Sequence, residues 1–309
     1  MRFSIDRNGE QCTALDGHSA GAPSPPVSFC VIHNIKMNIP GQLRLNDTKS
    51  LINEINELIY KNLDKQWMTV EWEKKENGES ADKIHPLVNA AFDAYQHIDN
   101  FIRTNTAGIT PAIWEISELA IKINNLKRNN VKSLQNRIDN LISFDHSLYL
   151  TARYEIQVAG MLLSRGHGVE FIEECGSKTP DILAVNGLGK CEIECKHKDP
   201  SEDQLDYIKS IYNNTQGARK QFSKNYPGLI FIDIAKDKYG EYQIECKRLL
   251  EEIERALRNS FSISAIIITS KVSIEECDDF VYRHRAFVIV NKNPRYIVSD
   301  WLKNNLISK

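Results

Sequence analysis

The chain has 309 residues, 41% hydrophobic and 26% charged, with a formal net charge of −2. That length can bury a substantial core in one large domain or two modest ones, and the near-neutral charge excludes a wholesale electrostatic grip on nucleic acid, though not a local basic stripe. No apolar run approaches the ~18–20 residues that span a bilayer. The stretch from Met1 to Gly21 lacks the apolar centre of a secretory signal, so the expected setting is cytoplasmic, with no membrane partner. Seven cysteines without framework spacing fit reduced thiols there.

In chain order, the first residues form a polar lead-in ending at Pro25-Pro26. A strand is expected within Val27 to Ile39, where Val27, Phe29 and Val31 share one parity. A helix follows from Asp47, its expected N-cap, to about Leu63, with Leu51, Ile52, Ile55, Leu58 and Ile59 at helical spacing. Trp67 to Trp72 reads as a second strand and Glu73 to Lys83 as a charged linker. Helices are expected over Pro86–Arg103, Pro111–Leu126 and Val131–Ser143, the second with Pro111 in the favoured first position. Residues 1–144 are therefore a mainly helical region that names no chemistry of its own.

The pattern changes at Asp145. A helix from about His146 to Arg165 stops at Gly166-His167-Gly168, and a strand follows over Val169–Glu173. Two short strands, Asp181–Val185 and Lys190–Lys198, flank Asn186-Gly187-Leu188-Gly189, a hairpin signal. Beyond them the pattern predicts a helix (Glu202–Phe222), a strand (Leu229–Ile234), a helix (Ile244–Arg258), two strands (Ile263–Thr269 and Tyr282–Val290) and a short last helix. This order describes an α/β region, a mixed sheet flanked by helices, over 145–309.

Strand alternation concentrates the chemistry. Glu192, Glu194, Lys196 and Lys198 share one face of the second hairpin strand, opposite Cys191, Ile193, Cys195 and His197. Asp181 opens the neighbouring strand, so three carboxylates can approach one sheet position. Converging carboxylate oxygens suit a hard cation such as Mg²⁺, and a lysine two residues along can steady developing negative charge. Solvated charges on an exposed edge hairpin are the plainer alternative.

Pro180-Asp181 followed by Glu194-Cys195-Lys196 resembles the motif of the PD-(D/E)xK nuclease superfamily, whose fold is restriction-endonuclease-like. The resemblance covers about Asp145 to Ile234 and implies that Asp181 and Glu194 bind Mg²⁺ (or Mn²⁺), helped by the Cys195 backbone carbonyl. It implies that Glu155, on the preceding helix, joins them directly or through water, and that Lys196 orients or helps deprotonate the attacking water. It further implies a DNA endonuclease of bacterial defence type. RNA cleavage on the same fold and a non-catalytic nuclease-like scaffold stand as alternatives, with residues 1–144 serving recognition, a partner or a homodimer.

The helix after the hairpin carries Lys209, Asn213, Gln216 and Lys220 at helical spacing, opposite Ile208, Tyr212 and Phe222. Asn213, Gln216, Lys220 and, from the hairpin, Lys198 are the candidate nucleic-acid contacts; a solvated helix face explains the stripe equally well. Gly217, read as mid-helix, suggests a close approach of backbone or ligand. Glu192 reads as a supporting residue rather than a ligand, and Cys191 and Cys195 as packing groups. Gly187-Leu188-Gly189-Lys190 lacks both the leading Gly and the Ser/Thr of a phosphate loop.

Overall fold

The computed structural model describes residues 31–35, 45–104, 111–173, 178–187, 189–197, 204–234, 246–276 and 279–298. The predicted last helix and Lys198 lie outside them.

The helical region runs α1 (Leu45–Glu57), α2 (Lys65–Glu76), α3 (Pro86–Thr104), α4 (Pro111–Arg128) and α5 (Leu134–Leu141). The first helix begins at Leu45, so Asp47 is not its N-cap, and it continues into a π-helical turn over Leu58–Asn62. Trp67 to Trp72 is helical, not a strand. Asp64 caps α2 by accepting from the Trp67 N–H at 2.6 Å, and Met68 and Glu71 turn inward one helical turn apart. The Glu71 carboxylate accepts from the backbone N–H of buried His85 at 3.1 Å, a long-range bond that the strand reading of Trp67 to Trp72 leaves out.

The second half runs α6 (His146–Ser164), β2 (Gly168–Phe171), β3 (Ile182–Asn186), β4 (Gly189–His197), α7 (Gln204–Ala218), β5 (Gly228–Ile234), α8 (Cys246–Leu257), β6 (Ile263–Glu276) and β7 (Asp279–Val290). With β1 (Val31–Ile35), these strands form a seven-stranded mixed sheet in the order β1-β7-β6-β5-β4-β3-β2. The central strands β4, β5 and β6 are parallel, and antiparallel pairs flank them on both sides. The fold is α/β, a mixed sheet flanked by helices, with a helical N-terminal region.

Parallel central strands need cover on both faces, and β5 shows it: Leu229, Ile230, Phe231 and Ile232 are all fully buried. Leu229 and Phe231 join a core with Cys191, Ile193 and Cys195 of β4, α6 and the helical region. Ile230 and Ile232 pack instead with Ile211 of α7 and Ile253 and Leu257 of α8. One face therefore belongs to α6 and the helices before it, the other to the two crossover helices. The β3–β4 hairpin closes with Asn186 opposite Gly189, whose φ of +133° is open to glycine and strained for other residues.

Candidate metal-binding active site

Strand β4 carries Glu194 and Lys196 on the crossover-helix face, opposite Ile230 and Ile232 of β5 in register. Glu194 is 0% exposed. Its Oε1 accepts from the Lys196 ammonium, while its Oε2 is buried with no hydrogen-bond partner among the described residues. A buried carboxylate oxygen without a donor costs free energy unless a proton or a cation takes the place of water.

Asp181 sits just before β3 and is fixed by its backbone. Its N–H donates to the Ile193 carbonyl at 3.0 Å, and its carbonyl accepts from the Ile172 N–H at 2.9 Å. Its Oδ2 accepts from the Cys195 N–H at 2.7 Å, so the carboxylate lies against the β4 backbone between Glu194 and Lys196. The Cys195 thiol points to the opposite face, buried, where desolvation pushes its pKa well up.

Glu155 reaches the same neighbourhood from α6. That helix is capped by Asp145, which accepts from the N–H groups of Ser147 and Leu148 at 2.9 and 3.2 Å. Glu155 is 5% exposed, and its Oε2 accepts from Arg137 Nε at 2.6 Å.

Electrostatics tie the four residues together. Burial first, then the charge of Asp181, pushes the Glu155 carboxyl up to about 7, against the pull of Arg137 and Lys196. Burial and Asp181 push Glu194 up to about 8, against the pull of Lys196, with Glu155 adding to the rise. For Lys196, burial disfavours the charge, but Glu194 and Asp181 outweigh it and hold the amine above its ordinary range. The cluster thus has an appetite for positive charge that Arg137 and Lys196, its cations among the described residues, do not satisfy. Its oxygen donors suit Mg²⁺ or Mn²⁺ by chemistry, and Glu194 Oε2 is an oxygen still lacking a partner. Among the described residues, however, no three acidic, histidine or cysteine side chains stand as a ready ligand set. Glu194 leans on Lys196 and Glu155 on Arg137.

The remaining sequence candidates separate. Glu192 accepts from the Ser223 N–H at 2.7 Å and fixes the turn after α7. Cys191 and Cys195 are buried packing groups. The polar stripe on α7 does not face the hairpin as a unit, because Gln216 Nε2 donates to the Ala256 carbonyl of α8 at 2.9 Å. Asn213 is exposed, as is Lys220, which lies past the end of α7. Gly217 is in the last turn of the helix, and a methyl group there would meet open space, so no close approach explains it.

Arg137 is the site neighbour that sequence reasoning missed. Its partner Glu155 sits on the next helix and the two meet only through the α5–α6 turn, which no residue pattern announces. A second polar pair, His197 Nδ1 to Asp233 Oδ2 at 3.0 Å, joins β4 to β5 on the α6 face. Asp233 interrupting an apolar strand was its available signal.

No protein-family model and no curated protein matches the sequence. Among solved structures, the chain is similar to Pyrococcus furiosus SfsA in complex with Ca²⁺, at 14% identity and a TM-score of 0.20. The match covers 42% of this chain and 59% of that one, less than two thirds of its length. A superposition that loose carries no weight for fold or function. No helix among the described residues is long and apolar enough to cross a membrane.

Proposed function

We propose that the chain is a metal-dependent phosphodiester hydrolase of the PD-(D/E)xK nuclease kind, cutting DNA in the manner of a defence endonuclease. The observation that carries this reading is Glu194: a fully buried carboxylate with one oxygen on Lys196 and the other unpartnered, beside Asp181. A purely structural strand gains nothing from burying such a group, whereas a bound cation would take up its second oxygen.

Asp181 and Glu194 would hold Mg²⁺ or Mn²⁺ together with the Cys195 backbone carbonyl, and Glu155 belongs to the same charge cluster. A bound ion supplies a water of lowered pKa and stabilises charge on the phosphate. The Cys195 N–H fixes the Asp181 carboxylate. Lys196 steers the attacking water and donates to developing negative charge, a role suited to an amine held protonated by its neighbours. Exposed Asn213 and Lys220 remain available to a nucleic-acid backbone, Lys198 is proposed as a further contact from the sequence alone, and Gln216 is engaged with α8.

The competing reading, a non-catalytic nuclease-like scaffold, draws on the ion pairs that already occupy Glu155 and Glu194. One assay separates them. Supercoiled plasmid, single-stranded DNA and RNA are incubated with the full chain in Mg²⁺, Mn²⁺ or EDTA, beside Glu194→Gln and Lys196→Ala. Metal-dependent cutting that falls by ~100-fold or more in both variants is expected, with DNA as the preferred substrate. Cutting that EDTA or either variant leaves intact would sink the assignment, and faster cutting of RNA would move the substrate.

A further inference from the structure

Arg137 is held on three sides. Its Nε donates to Glu155 Oε2 at 2.6 Å, its Nη2 donates to the Ile172 carbonyl at 3.2 Å, and its guanidinium lies 5.3 Å from the centre of the Phe171 ring. The arginine and glutamate side chains are 13% and 7% exposed, so water screens the pair little. Ile172 donates its own N–H to the Asp181 carbonyl, so Arg137 ties Glu155 to the segment that places Asp181.

The ligand inventory of the cluster follows from these bonds. Glu194 Oε2 is buried and unpartnered, and Asp181 lies against β4 beside it. Glu194 also leans on a cation, but Lys196 is a point charge on a flexible stem. Glu155 is instead tied through Oε2 to a guanidinium fixed on three sides, which it would have to share or surrender to bind an ion through that oxygen. Among the described residues, the three carboxylates face two paired cations, Arg137 and Lys196. A single divalent ion overturns that small negative excess to a small positive one, which a phosphodiester can meet; a second ion would leave a large uncompensated charge in a buried place.

We propose that Arg137 is a positioning residue of the metal site, a resident cation that keeps Glu155 as its own partner and leaves Asp181 and Glu194 to bind a single divalent ion. This rests on the metal-site reading above. The Arg137–Glu155 pair is then self-neutralised: removing either member shifts the affinity for the ion, and removing both restores it. Arg137→Gln removes the cation that competes for Glu155, which a bound ion then draws into its ionised form, Glu155→Gln leaves an unpaired positive charge there, and the two changes act in opposite directions.

The test is Mn²⁺ binding to the full chain by titration calorimetry, with circular dichroism to verify folding, on wild type, Glu194→Gln, Arg137→Gln, Glu155→Gln and the double variant. Wild type is expected to bind one Mn²⁺ per chain in a manner that Glu194→Gln abolishes. Arg137→Gln should bind at least ~tenfold more tightly and Glu155→Gln at least ~tenfold more weakly, with the double variant within ~threefold of wild type. A double variant that stays ~tenfold weaker makes Glu155 a direct ligand and overturns the proposal, as does an Arg137→Gln that binds no tighter, or two ions on wild type. Should Arg137→Gln fail to fold with Glu155 left unpaired, the double variant, which removes both charges, decides alone. No Mn²⁺ binding by wild type, or binding indifferent to Glu194→Gln, removes the metal site itself and not merely the role of Arg137.

Discussion

At the scale of single residues, a site that stores unmet negative charge should announce itself in stability. Glu155 and Glu194 have folded-state pKa values raised by burial and by Asp181, to about 7 and about 8 from 4.5. Below the unfolded value both states hold these protons. As pH climbs from there toward the folded values, the native state retains protons that the unfolded chain has released, so ionising it costs stability. Without metal, the urea midpoint should therefore fall between about pH 5 and about pH 9, and Glu194→Gln should flatten that fall. Mn²⁺ should reverse it, because the ion binds the ionised carboxylates best. A wild-type midpoint indifferent to pH, or a slope that the glutamine leaves unchanged, would mean the carboxylates are better solvated than their burial implies.

At the scale of elements, how much was legible depended on whether the signal was local. The hairpin was legible because turn residues, alternation and a carboxylate pair coincided within a few residues, and it placed Asp181, Glu194 and Lys196 in one neighbourhood. The α6 position of Glu155 followed from helical spacing. Trp67 to Trp72 was misread because aromatic and branched residues suit strands, while the deciding contacts, the Asp64 cap and the bond from His85 to Glu71, come from just before the segment and from the turn that precedes α3. Gln216 shows the same limit: helical spacing identifies a stripe but not which neighbour it meets, and here the neighbour is α8. Helix α7 also ends at Ala218, earlier than Phe222, which moves Gly217 from its middle to its last turn. With open space around that position and no positive φ, Gly217→Ala should stabilise the protein by ~0.5–1 kcal/mol through the unfolded chain, read as a higher urea midpoint at unchanged slope. A loss of stability instead would show that the last turn needs glycine's freedom.

At the scale of the whole molecule, the division of the sequence at Asp145 follows chemistry, while the packing runs straight across it. One apolar cluster includes Ile55 and Leu58, Trp114, Ile116 and Leu119 of α4, Ile156 and Ala159 of α6, and Ile193 and Phe231 of the sheet. The joint is tight at Gly160 of α6, where an added methyl would sit 2.7 Å from Cγ of Lys122 on α4. Lys122 is itself buried and paired with Glu118, so its stem cannot swing aside cheaply. Gly160→Ala should therefore cost ~1–3 kcal/mol by overpacking, and the cost should be felt on both sides of the joint. Three of the four tryptophans, Trp67, Trp72 and Trp114, lie in the helical region and the fourth, Trp301, in the other half, so fluorescence is weighted toward the helical region, whereas far-ultraviolet circular dichroism reports the whole chain. If the shared core makes the halves one cooperative unit, fluorescence and dichroism give coincident urea transitions, and Gly160→Ala moves both midpoints down together. Two separated transitions, with the variant shifting one alone, would mean that the helical region folds on its own and that α6 serves only as its docking face.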